Sequence, residues 1–451
     1  MSRDPSIGKR TLVFTAARVA GSGSILVLFV LLSYLLSAPE YGTFRQVWLV
    51  NKGLLDILAL GVPLSVYYFI PRLAEEHKRH FVAQSFLVLA GLGLTLAVGV
   101  FLSAGVIARV FDNPQIEPLL RLFALYPLFV MPVTGLESVL LSLGRSGQYS
   151  GFLILDRLGL VATAAVAVLV GRSLNALFLA LVAFGAVELV AGGWLAWYSV
   201  GHLPRGPGGW RIGEQLRFAL PSGLANLVDV INVEVDKLMA AAFFTVAQFA
   251  SFANGAFEVP FLSVIVGSVG AMLLPEFSRE HARGDRGTIL RLWHGAITRV
   301  AKLLAPATVF LFVMAGDVVQ LLFSSKYADS VPIFRIYLLI LLPKLAWFGP
   351  TLVALGRNRA PFYGSLIAVG SNVVLGYLLI HWIGLPGPAV ATVVTAHLLM
   401  LYYLVLLQRT LRITWGETFP LRPVLLALVV AAIPGVLILP VAQADGLGRL
   451  G

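Results

Sequence analysis

The chain reads as an all-α polytopic membrane protein. Two six-helix lobes form an internal parallel repeat, and one extra C-terminal hydrophobic segment follows them. Three observations predict this. Hydrophobic residues make up 58% of the 451 positions and charged residues only 12%, with a mean hydropathy of +0.89. Soluble domains average about 45–50% apolar and about 25% charged. Apolar runs of about 20 residues, each able to cross a hydrocarbon core of about 30 Å, recur along the whole length. Finally, short blocks of the first half reappear in the second.

Spans are expected at roughly 11–38, 46–70, 81–108, 116–142, 150–170, 175–199, 217–243, 249–274, 296–322, 332–355, 361–383 and 387–408, with a thirteenth at 421–441. The opening MSRDPSIGKR precedes an apolar run from Thr11 to Ala38. That run is too long for a signal peptide and lacks a small-residue cleavage site, so it reads as an uncleaved first span. Loops after even-numbered spans are basic: PRLAEEHKRH, HLPRGPGGWR, EFSREHARGDRGTILR, LGRNRAP and QRTLR. Loops after odd-numbered spans carry few basic residues, which places the N-terminus and the even loops in the cytoplasm.

The net charge of +11 follows this alternation and does not mark a nucleic-acid partner. No basic cluster carries the interleaved aromatics of a single-strand binder. The chain has no cysteine, which excludes disulfides and thiolate metal sites. It has no GxxxxGK[ST] phosphate loop. Uphill work would therefore come from an ion gradient, the membrane potential or consumption of the product. No nucleophile–base or metal constellation suggests an enzyme, and no cofactor is expected.

The repeat rests on matched blocks. PLLRLFAL at 118–125 resembles PIFRIYLL at 332–339, and each leads after one span into LGR, at 143–145 and 355–357. PRLAEEHKR from Pro71 resembles PEFSREHARG from Pro275. The division expected is an N-terminal lobe at 1–200, a glycine- and proline-rich linker at 201–216, a C-terminal lobe at 217–410 and the segment 421–441. A six-span unit keeps its orientation when copied, so the halves share an axis along the membrane normal, a transporter plan with the substrate site at the repeat interface. The thirteenth segment has no counterpart. Either the C-terminus lies outside, or the chain is shortened, or the segment does not cross fully.

Charge at bilayer depth costs roughly 2.5–3.5 kcal/mol on insertion scales, so such residues face the bundle interior or water. In span 7, Asn226, Asp229, Asn232, Asp236 and Lys237 share an arc of roughly 140°, with Glu234 about 60° beyond it. Span 1 carries Thr11, Thr15, Arg18 and Ser22 on one narrow line, with no acid between Thr11 and Pro39. Arg18 either faces a cavity or snorkels to the interface. Lys52 and Asp56 of span 2 stand four apart, as do Asn254 and Glu258 of span 8. For each of these residues the competing reading is a helix interface stapled by hydrogen bonds and ion pairs. Structural roles are expected for Glu137, Asp156, Arg157 and Glu188, and helix-end anchoring for Arg121 and Arg335. Lys302, Lys344, His381 and His397 are isolated, and no histidine pair has metal-ligand spacing.

The block PSGLANLVDVINVEVDKLMAAAFFTVAQFASFANGAFEVP, continuing to LLPEFSRE, resembles the second-half signature of polysaccharide-type flippases of the multidrug/oligosaccharidyl-lipid/polysaccharide exporter superfamily. LLFSSKYADSVPIFRIYLL, ALGRNRAP and GLPGPAVATVV resemble their C-terminal part, and SAPEYGTF their first outer loop. The likeness covers nearly all of 1–410 and lies in the order and spacing of several weak motifs. It implies two lobes in a V, with spans 1, 2, 7 and 8 lining a central cavity and alternating access. It also implies a substrate, an isoprenyl-diphosphate-linked oligosaccharide moved from the cytoplasmic to the outer leaflet of the bacterial inner membrane, as for O-antigen of lipopolysaccharide.

Carried onto this chain, the resemblance makes Arg18, Lys52 and Lys237 the cationic candidates. Cavity-polar or ion-coupling candidates are Asp56, Asn226, Asp229, Asn232, Asp236, Asn254 and Glu258. Asp236 either neutralises Lys237 or serves as the coupling carboxylate. Partners implied are the polyprenyl-diphosphate-linked glycan, membrane lipids, a polysaccharide polymerase and glycosyltransferases. Three alternatives stand: a peptidoglycan lipid-precursor flippase, a cation-coupled multidrug antiporter, and a non-transporting scaffold. The antiporters resemble one another in placing a membrane-embedded acid in the first lobe, often in span 1. Here that span carries Arg18 and no acid, which favours an anionic substrate.

Overall fold

A computed structural model describes residues 5–59, 61–204, 212–257, 260–346 and 348–433. Among these the chain is helical, with no strand. In order the helices are α1 (Pro5–Leu35), α2 (Ala38–Leu58), α3 (Val62–Phe69), α4 (Glu75–Val110), α5 (Ile116–Phe123), α6 (Leu125–Val133) and α7 (Leu136–Ser142). There follow α8 (Ser146–Gly171), α9 (Leu174–Val200), α10 (Ile212–Phe243), α11 (Val246–Gly255), α12 (Pro260–Arg283), α13 (Arg286–Val313) and α14 (Ala315–Phe323). The chain continues through α15 (Ser330–Leu338), α16 (Leu341–Lys344), α17 (Phe348–Ala354), α18 (Ala360–Ile383), α19 (Gly387–Leu411) and α20 (Trp415–Thr418). A further apolar helix covers Leu421–Ile433.

Among the described residues, ten helices are long and apolar enough to cross a membrane, and α15 with α16–α17 forms an eleventh bent by 41°. Outward surfaces agree with this solvent. Leu102, Leu155, Val170 and Val190 are each more than 70% exposed, on helices whose inner faces are packed. A soluble monomer rarely leaves apolar patches of that extent uncovered.

Several expected spans are broken rather than continuous. Span 2 begins earlier, at a capping box in which Ser37 and Glu40 answer each other's backbone N–H. It then interrupts at Gly61, whose φ of 71° is left-handed. The region 116–142 comprises three short helices; Pro132 lies inside α6 and Gly135 is the residue before α7. Proline removes one ladder hydrogen bond and clashes with the preceding turn, so the helix must bend or stop there. In the region 249–274, α11 ends at Gly255 and α12 starts at Pro260.

The chain divides into two compact units. The first takes in Met1–Glu234 and Ala241–Ala250, the second Val235–Ala240 and Ser251–Gly451. Helix α10 thus contributes to both. In the first unit, Gln215 is fully buried and donates from Nε2 to Ser65 Oγ (3.0 Å) and Ser85 Oγ (2.8 Å), while Gln84 Nε2 donates to its Oε1 at 2.8 Å. This closed network ties the start of α10 to α3 and α4, because a buried amide left open would cost about 1–3 kcal/mol. Residues 241–250 join the same unit through a close approach. A Cβ on Gly42 would lie 2.3 Å from Val246 O, and Gln46 Nε2 donates to Ala241 O at 3.4 Å.

The second unit is centred on α12, α13, α17 and α19, where Phe277, Trp293, Ile297, Phe348 and Leu407 are buried together. Trp293 Nε1 donates to Thr418 O at 3.0 Å, fastening α20 to α13. Helices α18 and α19 approach so closely that a Cβ on Gly364 would meet Tyr403 Oη at 2.6 Å. The segment expected at 421–441 is helical through Ile433; its remainder lies outside the described residues.

Gly61 is the position where backbone and packing both forbid a side chain. A Cβ there would fall 2.6 Å from Ala219 O and 3.1 Å from Gly223 N, on a φ that costs a branched residue about 1–3 kcal/mol. Gly61→Val is therefore expected to lower the thermal unfolding temperature of the purified protein. Gly23→Ala, whose added Cβ meets nothing within 4 Å, should not lower it. Equal melting of both variants would show that the αL break at 61 is not required.

Candidate functional site

A cavity of about 370 Å³ lies inside the first unit. Helical periodicity builds its walls. On α1 the lining positions are 18, 21, 22 and 25, and on α2 they are 48, 51, 52, 55 and 56, two i, i+3, i+4, i+7 stripes. Small residues, Gly21 and Ser22, keep the α1 wall open next to Arg18. The remaining wall comes from α5–α8, including Glu137, Tyr149 and Arg157.

The charges are arranged in pairs. Lys52 Nζ bonds Asp56 Oδ2 within α2, with both side chains about half exposed. Arg18 Nη1 stands 4.0 Å from Glu137 Oε1, and its guanidinium lies 5.6 Å from the centre of the Phe14 ring. Glu137 also accepts from Tyr149 Oη (2.9 Å) and Tyr67 Oη (3.4 Å). Arg157 Nε is 3.5 Å from Asp156 Oδ2. The lining groups thus number three cations, Arg18, Lys52 and Arg157, against two carboxylates, Asp56 and Glu137. Asp156, the partner of Arg157, brings the count to three against three, but Arg18 keeps 61% of its side chain exposed, so an entering anion meets a guanidinium still largely open.

Asn51 sits between these charges and the aromatic part of the wall. It is 1% exposed, and its Nδ2 donates to Val47 O at 3.3 Å. Its Oδ1 has no hydrogen-bond partner among the described residues. Asn226 of α10 donates from Nδ2 to the main-chain oxygen of Asp56 at 3.0 Å, bracing the charged end of α2. Asp229 is exposed and Asn232 half-buried on the same part of α10.

The second unit holds a separate polar centre. Asp236 is 1% exposed and accepts from Thr392 Oγ1 at 3.1 Å, while Asn372 Nδ2 donates to that same hydroxyl at 3.2 Å. The other Asp236 oxygen caps the Lys237 backbone N–H at 2.7 Å. Asn372 Oδ1 has no hydrogen-bond partner among the described residues. A carboxylate, a hydroxyl and an amide oxygen are the ligand types that suit a hard cation. Asn254 is fully buried in this unit. Glu258 lies outside the described residues.

A profile described as "Polysaccharide biosynthesis protein" matches residues 31–332, well over half of the chain. The chain belongs to the polysaccharide biosynthesis protein family. It is also 24% identical over 234 residues to a probable lipid II flippase MurJ of Rhizobium tropici, across 49% of this chain and 43% of that protein. The chain therefore aligns with less than half the length of that curated relative.

Solved structures that share the fold include two with TM-scores of 0.70 or more. One is the lipid II flippase MurJ in an inward closed conformation, with a TM-score of 0.73, 15% identity and coverage of 95% of this chain and 92% of the other. The second is an inward-facing multidrug resistance MATE family transporter of the MOP superfamily, with a TM-score of 0.70, 15% identity and coverage of 87% and 96%. The fold of this family member is therefore that of MOP superfamily transporters. The curated relative and the two solved structures are named as flippases or transporters.

Within this family member the structure regroups the residues singled out from sequence. Arg18, Lys52 and Asp56 share one cavity, and Asn226 is bonded to its edge. Asp236, Lys237 and Asn254 belong to the second unit. Glu137, expected to be structural, is the acid that answers Arg18, which the absence of an acid in span 1 had left without a counterion. Trp48, Asn51, Asn372 and Thr392 were not singled out. The stripe running back from Lys52 through Asn51 to Trp48 was the available signal for the first two.

The Arg18–Glu137 pair is long and largely solvent-facing, the kind worth about 0–1 kcal/mol. Arg18→Ala should accordingly reduce stability by no more than about 1 kcal/mol in thermal unfolding of the purified protein. A loss several times larger would mark Arg18 as a structural anchor and not as a group held for a ligand.

Proposed function

We propose that this chain flips an isoprenyl-diphosphate-linked oligosaccharide from the cytoplasmic to the outer leaflet by alternating access, for cell-surface polysaccharide biosynthesis. The observation carrying this reading is that the first unit's cavity brings Arg18 and Lys52 together, with Arg18 61% exposed. A diphosphate taken out of water needs compensating positive charge and charge-assisted hydrogen bonds. Arg18 and Lys52 are held there by partners that a diphosphate can replace. Arg supplies a fork that grips two phosphate oxygens, and Lys a compact point charge. Lys237, in the second unit, is a further cationic candidate.

The polar centre at Asp236 serves as the coupling site in this reading. Proton or cation occupancy among Asp236, Thr392 and Asn372 biases the state of the second unit, and the gradient supplies the work. The two units act as the alternating elements. The N-terminus and the basic loops lie on the cytoplasmic face of the inner membrane, as their arginine content favours.

A second reading, a peptidoglycan lipid-precursor flippase, is favoured by the sequence match to a probable lipid II flippase. Both readings place a polyprenyl diphosphate on the same cations. They differ in the glycan, so the lipid that accumulates when the gene is deleted decides between them.

Arg18→Ala and Lys52→Ala are each expected to cut polysaccharide export in a complemented deletion strain at least about tenfold, the loss of roughly 1.4 kcal/mol, at unchanged membrane levels. Full complementation by both would sink the cationic-cavity mechanism. Asp236→Asn should leave the protein in the membrane but abolish the response of transport in proteoliposomes to an imposed cation or proton gradient. An unaltered response would remove Asp236 from the coupling role.

A further inference from the structure

The part of the cavity wall around Trp48 is aromatic, and the cationic mechanism leaves it unexplained. Trp48 lies on the same face of α2 as Lys52, one turn earlier, and lines the cavity with it. Its indole is backed by four rings. Phe29 stands at 6.1 Å edge-on, Phe44 at 5.8 Å, Phe123 at 6.5 Å and Tyr126 at 6.5 Å between centroids. Phe44 and Phe123 are fully buried, and Phe123 stacks on Tyr126 at 4.6 Å. This backing fixes the indole, while Trp48 itself stays partly exposed towards the cavity. Core aromatics with no ligand to meet would be expected to close the space.

Beside it, Asn51 carries an unpartnered acceptor that is closed off from solvent in this state, so a donor reaches it once the amide turns towards the cavity. Its amide nitrogen is spent on Val47 O, which leaves Oδ1 unpartnered in a residue 1% exposed. A buried amide oxygen without a partner is costly unless something arrives to donate. The combination of a flat aromatic face and an adjacent acceptor fits one chemistry well. A sugar ring has an apolar face of C–H groups and an edge of hydroxyl donors.

We propose that Trp48 and Asn51 form a saccharide subsite, in which the indole stacks on the sugar bonded to the diphosphate and Asn51 Oδ1 accepts one of its hydroxyls. This rests on the diphosphate reading of Arg18 and Lys52. The spacing suits it: from Lys52 back to Trp48 is about 6 Å along the helix, comparable to the step from a phosphate to the ring it carries. The volume suits it too. Small-ligand pockets run to about 300–1,000 Å³, and about 370 Å³ holds a diphosphate and its first sugar, so a longer glycan extends beyond it. Specificity at this cavity therefore reads the linkage-proximal sugar and ignores the rest of the chain.

The test uses the full chain purified in detergent and two probes, farnesyl diphosphate and farnesyl diphosphate bearing a single hexose. Wild type is expected to bind the glycosylated probe about tenfold tighter, the scale of one well-made ring contact. Trp48→Leu should collapse that ratio towards one, Trp48→Phe should keep most of it, and Asn51→Leu should reduce it. Equal wild-type affinity for the two probes overturns the subsite while leaving the diphosphate reading intact. A ratio unmoved by both Trp48→Phe and Asn51→Leu, with Trp48→Leu losing both probes alike, makes the ring structural and also overturns it. Failure of wild type to bind either probe overturns the diphosphate reading and the subsite together.

Discussion

A charge inside a membrane-spanning helix has to be answered, by an opposite charge, by hydrogen bonds or by water. Much of the first unit is arranged around that requirement. Arg18 of α1 has no acid on its own helix, so α7 is brought near enough to offer Glu137, and two tyrosines from α3 and α8 complete the carboxylate's shell. Lys52 is answered within α2 by Asp56, and Arg157 by the neighbouring Asp156. In the second unit the buried carboxylate of Asp236 is answered by the Thr392 hydroxyl and the Lys237 backbone N–H instead. Each solution leaves something over: a largely exposed guanidinium in one unit, a spare amide oxygen in the other.

The same requirement accounts for where the helices break. Non-helical backbone at membrane depth is tolerated only where it is buried or borders a cavity. Thr134, in the interruption between α6 and α7, lines the first unit's cavity together with Glu137 of the following turn. The interruption at Gly61 is covered by the backbone of α10 at Ala219 and Gly223. The first break therefore borders the cavity and aims a functional side chain, and the second is roofed by protein.

What could be read from sequence tracks how local each cause is. A charge in an apolar run is conspicuous against its neighbours, so Arg18, Lys52, Asp56 and Asp236 stand out without a structure. A helix start such as Ser37–Glu40 is equally local. The partners are not. Glu137 looks like any interfacial acid until α7 folds against α1, and Asn372 and Thr392 are ordinary polar residues until α18 and α19 place them beside Asp236. Trp48 belongs to a chain rich in aromatics, and only its position on the stripe of Lys52 sets it apart. Continuous spans were expected at 46–70 and 116–142 because hydropathy averages over a break, whereas the backbone at Gly61 and Pro132 does not.

The order of residues in the Lys52–Asp56 pair carries a further consequence. In a helix, an acid four residues before a base is the favoured sense of such a pair, because each charge then opposes the helix dipole. Here the base comes first, so the backbone field works against the contact that the side chains make. The clasp is thus weakly spring-loaded towards release. A phosphate arriving at Lys52 competes with a bond the helix itself does little to defend, and Asp56 is left to turn towards water, with no rearrangement of the backbone required.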